Sequence, residues 1–463
     1  MNRADCKLHR LMELFLVALA LAKTPCFARD AVESPGRPNI VFILIDDLRW
    51  DALGGTGHPF VKTPNIDRIG SEGARFRNAF VTTPLCLPSR ASFLTGQYPH
   101  THGVTGTADH RARSYELPTF PRLLRPAGYE TAFMGKWHIG DDAGPRPGFD
   151  RWVSFKGQGE YVDPEINADG QASKASGYLT DILTGHAVEF IQRPRAKPFL
   201  LYLAHKAVHA PFVPAERHKH LFADVPIVRA PSAKDTWEGK PVLRRPVIKL
   251  SPKDPDVHSS DEMIRNQLRC LMAVDEGVKR IFDALERTKQ LDQTLIVFTS
   301  DHGYFWGEHD LGGKHGPYEE ALRIPLLMRY PKLIKPGTTL DQFALSVDLA
   351  PTLLELADVP PPDTMQGRSL LPLLKGNTAG ARTSFLAEFF LGNGTNRFPN
   401  WQAIRTERWK YIRYTDLPEM DELYDLQTDR GEMQNRIDDP KSATTLVELK
   451  TELERLLRET QSR

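Results

Sequence analysis

Cys86 lies in the run Pro84-Leu85-Cys86-Leu87-Pro88-Ser89-Arg90-Ala91-Ser92-Phe93-Leu94-Thr95-Gly96. Pro88 suits the first turn of a helix, where its missing N–H is not needed. Gly96 suits the end of one. The spacing therefore predicts a short helix over 89–94, with Cys86 at its N-terminus. Free N–H groups and the helix dipole favour an anion at such a place. Arg90 follows four residues later on the same face, and its rigid cationic fork suits a carboxylate.

Asp46 and Asp47 directly follow Ile40-Val41-Phe42-Ile43-Leu44-Ile45. A continuously apolar run of this length reads as a strand buried on both faces of a parallel sheet. Ligands of open α/β sheets bind beyond the carboxyl ends of the strands. Two adjacent carboxylates are costly there unless something positive pairs them. Neighbouring strand residues point to opposite faces, so both reach one site only if the strand has ended. A hard metal ion is the economical explanation, and calcium suits several carboxylate oxygens. Asp301 and His302 follow the apolar run 295–299 in the same way, and His205 and His209 follow 199–203. Lys136 and His138 stand two apart in Gly135-Lys136-Trp137-His138, so on an extended segment they face the same way. Lys314 follows Gly312 and Gly313, which let the backbone approach a ligand closely.

In this order, across residues 38–375, these motifs resemble the type I sulfatase family. Cys86-x-Pro88-Ser89-Arg90 followed by Leu94-Thr95-Gly96 carries the resemblance most specifically. It implies that a formylglycine-generating enzyme oxidises Cys86 to formylglycine (3-oxoalanine), an aldehyde whose hydrate attacks sulfate esters. It implies a Ca2+ ion held by Asp46, Asp47, Cys86, Asp301 and His302. The family more often carries Asn than His at the last position. Imidazole is a softer ligand than an amide oxygen, so His302 stays open between the metal shell and the substrate site. The resemblance further implies that Arg90 holds the hydrate and that Lys136 and Lys314 bind sulfate oxygens. It implies, too, that Asp301 takes a proton, that His209 (just before Ala-Pro) protonates the leaving alcohol, and that His138 removes a proton so that sulfate is expelled. His205 has no such match and reads as a loop histidine.

The segment from Gly148 to Pro164 resembles the N-acetylglucosamine-6-sulfatase branch of the glycosaminoglycan sulfatases. That likeness implies a sulfated carbohydrate substrate, contacted by Lys156 and Gln158. Trp152, Phe155 and Tyr161 offer ring faces for a sugar, although Trp152 and Phe155 fit better as core residues of a covering loop. Two other readings stay open: a phosphodiester or phosphonate monoester hydrolase using the same aldehyde, and a silent sulfated-glycan binder in which Cys86 stays a thiol. Retention of every expected catalytic residue type favours an enzyme.

Apolar strands alternate with helical stretches at 178–192 and 261–290, which predicts an α/β fold with helices on both faces of the sheet. The family resemblance implies an alkaline-phosphatase-like version, a large mixed but mostly parallel sheet. From about 376 the pattern changes to short alternating strands and a charged helix over 441–460, predicting a smaller α+β domain on an antiparallel sheet. The expected organisation is thus a signal peptide over 1–28, a catalytic domain over 29–375 and a C-terminal subdomain over 376–463. Residues 223–258, rich in Pro, Lys, Arg and Ser, read as a surface excursion. Arg3, Lys7 and Arg10, the apolar stretch from Leu11 to Ala22, and Ala28 carry the signal-peptide reading, and with it a secreted or periplasmic location. The stretch is too short to span a bilayer, and no later segment is expected to. A formal net charge of +1 gives no basic footprint for nucleic acid. Beyond the leader only Cys86 and Cys270 remain. A disulfide framework is therefore not expected, and Cys270 reads as core packing.

Overall fold

Residues 40 to 45 alternate between two apolar cores. Ile40, Phe42 and Leu44 face one, Val41, Ile43 and Ile45 face the other, and all six are fully buried. No face is left for solvent, so this strand sits inside a sheet covered on both sides. The computed structural model describes residues 36–106, 108, 110–245, 259–390 and 398–461. The expected leader, 1–28, and residues 246–258 of the surface excursion lie outside them.

Sixteen strands occur among the described residues: β1 (Asn39–Ile45), β2 (Ala74–Phe80), β3 (Glu130–Gly135), β4 (Arg151–Ser154), β5 (Glu165–Ala168), β6 (Gln171–Lys174), β7 (Phe199–Ala204), β8 (Thr294–Ser300), β9 (Phe305–Trp306), β10 (Gly312–Gly313), β11 (Leu326–Arg329), β12 (Thr338–Leu345), β13 (Ser384–Phe389), β14 (Trp401–Thr406), β15 (Trp409–Tyr414) and β16 (Glu422–Asp425). Ten form one sheet in the order β12-β2-β11-β8-β1-β7-β3-β4-β5-β6. The central run β8-β1-β7-β3-β4 is parallel throughout. β11 runs antiparallel to β8 and β2, and β5 and β6 close the other edge antiparallel. This is the large mixed sheet expected.

One face is covered by the helices Leu179–Gln192 and Asp261–Arg287. The longer helix starts where Ser260 Oγ accepts the Met263 N–H at 3.1 Å, with Asp261 and Glu262 in its first turn, both favourable at a helix N-terminus. It buries Ile264, Leu268, Leu271, Val274, Val278, Ile281 and Leu285, the three-or-four spacing of an amphipathic helix. The opposite face is covered by the helices Cys86–Thr95 and Leu349–Leu356.

The smaller sheet, β13-β14-β15-β16, is antiparallel. The helix Ala443–Gln461 buries Leu449, Leu453, Leu456 and Leu457 and packs on β13, β14 and β15. Because β1, β3, β7 and β8 are parallel neighbours, the segments leaving their carboxyl ends emerge at one edge of the large sheet.

Candidate active site

At the end of β1 the strand alternation breaks. The Asp46 N–H donates to Ala207 O at 3.0 Å, and Asp47 takes a left-handed backbone with φ 63°. Aspartate is among the few non-glycine residues that tolerate this region. The turn is what lets two consecutive carboxylates face one site. The Asp47 N–H donates to Asp301 Oδ1 at 3.1 Å, tying the end of β1 to the end of β8.

The helix Cys86–Thr95 brings the cysteine to the same edge. Leu85 is extended, Gly96 closes the helix in the left-handed region at φ 66°, and all ten helical residues are buried. Ser89 Oγ donates to Asp301 O. Arg90 Nε donates to Asp301 Oδ2 at 3.0 Å and Nη1 to Lys136 O at 2.6 Å, while Nη2 lies 3.4 Å from Asp46 Oδ2. A buried guanidinium is tolerable only with such partners. Here it links the helix to the ends of β1, β3 and β8.

Cys86 Sγ lies 3.2 Å from His302 Nε2, 3.1 Å from Lys314 Nζ and 3.6 Å from Asp46 Oδ1. Burial alone would push the thiol up. Lys136, Lys314 and His302 overcome it and hold the thiol well below its ordinary range. Burial likewise opposes ionisation of Asp46, but Lys136, His209 and Arg90 keep its carboxyl below the usual carboxylate range. Asp301 moves the other way, to about 6, through burial and the neighbouring Asp46 carboxylate. Burial disfavours the His302 imidazolium, yet Asp301 raises that group to about 9. Lys136 Nζ contacts Asp46 Oδ2, and Lys314 Nζ sits 2.6 Å from Asp47 Oδ1.

Asp46, Asp47, Cys86 and His209 bring ligand atoms within 4.8 Å of one another, as do Asp46, Cys86, Asp301 and His302. Three buried carboxylates converging with an imidazole on residue 86 suit a divalent cation. The residues present therefore fit a metal.

Above Cys86 opens a cavity of about 530 Å³, lined among others by His138, Asp141, Gln158, His209, Lys314 and His315. His138 is not on an extended segment, as its spacing from Lys136 implied. β3 ends at Gly135, and His138 has φ 63°. A turn, not strand alternation, delivers its ring to the cavity, while Lys136 is fully buried beneath. Burial and Lys136 lower His138 to about 4, which favours its neutral, proton-accepting form.

His209 Nε2 lies 3.8 Å from Asp47 Oδ2, and its Nδ1 lies 2.9 Å from Ala210 O. Gln158 Nε2 is 3.2 Å from His138 Nε2. Its neighbours Gly157 and Gly159 have φ 55° and 66°, and a Cβ on Gly159 would lie 2.4 Å from the Phe155 ring. Lys156 stays outside the cavity lining, exposed and 3.7 Å from Asp141 Oδ2. Trp152 and Phe155 are core residues, as expected. Tyr161 is also buried and offers no free face to a sugar. Its hydroxyl donates to His209 O at 2.6 Å. His205 is buried and does not line the cavity.

Sequence reasoning did not single out Ser89 as a support for Asp301, or Asp141 and His315 as cavity walls. Adjacency to Lys314 was the available signal for His315, whose ring packs on Phe389 with centroids 5.5 Å apart.

A family model described as Sulfatase matches residues 38–359. One described as N-sulphoglucosamine sulphohydrolase, C-terminal, matches 307–459. An N-acetylglucosamine-6-O-sulfatase of Bacteroides thetaiotaomicron is 34% identical over 97% of this chain and 90% of its own length. The N-acetylglucosamine-6-sulfatase of Homo sapiens is 34% identical over 78% of this chain and 68% of its own. Among solved structures, a protein in complex with its substrate D-glucosamine-2-N,6-O-disulfate superposes with a TM-score of 0.85 at 32% identity, covering 92% of this chain and 99% of the other. A family match over most of the sequence and a relative of such identity along nearly its whole length make this chain a member of the sulfatase family, a hydrolase of sulfuric esters.

Proposed function

We propose that the enzyme removes sulfate from a sulfated sugar, with 6-sulfated glucosamine as its preferred unit, and that its nucleophile derives from Cys86. The observation that carries this reading is the placement of Cys86 at the floor of the cavity, between Lys314 and His302, with Lys136 and three carboxylates beneath. The named activities of the two relatives, and the disulfated glucosamine bound by the solved neighbour, support the sugar.

Oxidation of Cys86 by a formylglycine-generating enzyme would supply an aldehyde hydrate as nucleophile. A Ca2+ ion held by Asp46, Asp47, Asp301, His302 and residue 86 would supply positive charge facing the sulfate. The remaining chemistry belongs to the chain's own side chains. Arg90 holds Asp301 and leaves it aimed at residue 86, where it takes a proton. Lys136 and Lys314 balance charge on the sulfate oxygens, usually the largest contribution to such a reaction. His209 gives a proton to the departing sugar oxygen. His138, which also lines the cavity, takes a proton from residue 86 as sulfate leaves. Gln158 lines the cavity and Lys156 lies outside it beside Asp141; both side chains can bind sugar hydroxyls or carboxylates.

In this reading residues 1–28 are a signal peptide, 29–375 the catalytic domain and 376–463 a subdomain that supports it, and the mature enzyme is secreted or periplasmic. No helix among the described residues is long and apolar enough to cross a membrane.

Turnover on a substrate panel tests the sugar. The expected preference is 6-sulfated glucosamine over 2-sulfated uronate. The reverse order moves the enzyme to the uronate 2-sulfatases, and turnover confined to aryl sulfates or phosphonate monoesters discards the carbohydrate. His209→Ala tests the general acid. It should lower kcat/KM on the sugar sulfate by about 10²-fold or more and affect 4-nitrophenyl sulfate far less, because a nitrophenolate needs little protonation. Equal losses on the two substrates remove His209 from that role.

A further inference from the structure

Lys206 is 1% exposed, lies outside the cavity lining and takes no part in the chemistry above. Burying an ammonium is costly unless it is well partnered, and its partners are specific. Its Nζ donates to Ala210 O at 2.9 Å and lies 4.9 Å from the centre of the Tyr161 ring, a cation–π contact. Ala210 O is also the acceptor beside His209 Nδ1, at 2.9 Å. Tyr161 donates to His209 O at 2.6 Å. Tyr178 stacks on Tyr161 with centroids 5.7 Å apart and donates to Val213 O at 3.0 Å. Three buried donors in one stack thus take the carbonyls of residues 209, 210 and 213.

We infer that Lys206, with Tyr161, is a positioning pair that aims His209 at the leaving group. The carbonyl of Ala210 has two lone pairs. Lys206 occupies one and fixes the direction of the other, which receives Nδ1–H. The His209 tautomer and ring plane follow, and Nε2 is left to face the cavity and Asp47. Charge burial under the general acid gains its purpose from this arrangement: an apolar side chain at 206 would fill the same space without orienting the carbonyl.

This rests on His209 as general acid, so three variants are measured together. Lys206→Met keeps the stem and removes the donor; Tyr161→Phe keeps the ring and removes the hydroxyl bond to His209 O. On 6-sulfated glucosamine, Lys206→Met should lower kcat by about 10-fold or more with KM little changed, since Lys206 does not touch substrate. Tyr161→Phe should do the same to a smaller extent. On 4-nitrophenyl sulfate both should lose far less, and that residual turnover also reports that the nucleophile site is folded. Parallel losses on both substrates, or no loss on the sugar, overturn the inference while His209→Ala remains selective. If His209→Ala is itself unselective, the general-acid reading falls and the inference falls with it. Should Lys206→Met not fold, Tyr161→Phe decides alone: no selective loss in that variant rejects the pair.

Discussion

Cys86→Ala should fold and be nearly inert. The site offers few substitutes for residue 86. It lies at the N-terminus of a fully buried helix, and its side chain faces Lys314 and His302 at 3.1–3.2 Å. Water reaching that position would meet the same cations but lack covalent attachment and alignment, which supply much of the rate in such reactions. The expected loss of kcat/KM is about 10³-fold or more on any sulfate ester. The cost in stability should be small, about 1 kcal/mol for one buried sulfur, so the melting curve separates this outcome from misfolding. A peptide mass across residue 86 in the parent enzyme adds the second half of the test. Activity should scale with the fraction of chains carrying the aldehyde and vanish in preparations that hold only the thiol. Strong turnover by Cys86→Ala, with contaminating sulfatase excluded, would end the covalent reading.

How much of this was legible beforehand depends on where each residue gets its position. The buried strands β1, β7 and β8 could be read because a strand covered on both faces needs an unbroken apolar run, and those runs stand out. The motifs at their ends followed from the rule that parallel sheets bind ligands at the carboxyl edge. The short strands β5 and β6 could not be read. Residues 171–174 are exposed throughout and carry no alternation, so only pairing in three dimensions defines them. Likewise, β2, β11 and β12 are arranged by long-range antiparallel and parallel pairings that leave no local pattern. Within the site, His138 arrived by a positive-φ turn, where the spacing of two from Lys136 had suggested an extended segment. Backbone conformation at a single residue lies below the resolution of periodicity. Tyr161 looked like a sugar platform because aromatic residues in loops often are one. Its burial under His209 is a tertiary fact, set by β7 and the helix that starts at Leu179.

Removing divalent cations should abolish turnover, and calcium should restore it. Asp46, Asp47 and Asp301 are at most 2% exposed and converge on one residue. Carboxylates in such a place need compensating charge. Arg90, Lys136 and Lys314 give part of it, as their contacts with Asp301, Asp46 and Asp47 show, but positive charge spent on a carboxylate offsets less of the charge on a sulfate oxygen. A divalent cation held by the carboxylates would take over that compensation and leave more of the lysines' charge for the substrate, so its presence should matter more for kcat/KM than one lost charge would suggest. The expected fall on chelation is about 10²-fold or more. Stability should follow the ion by mass action, with about 2.7 kcal/mol gained when free ion stands at about 100 times its Kd. Asp47→Asn should weaken the ion's hold and shift the calcium titration to higher concentration, while Lys314→Met, which removes a cation competing for Asp47, should shift it to lower concentration and depress turnover at saturating calcium. This opposite pairing distinguishes a metal site from a purely ionic network of lysines and carboxylates. Full activity in a preparation shown by elemental analysis to hold no divalent metal would assign the carboxylates to Arg90 and the lysines, and the charge facing the sulfate would then have to come from Arg90, Lys136, Lys314 and His302.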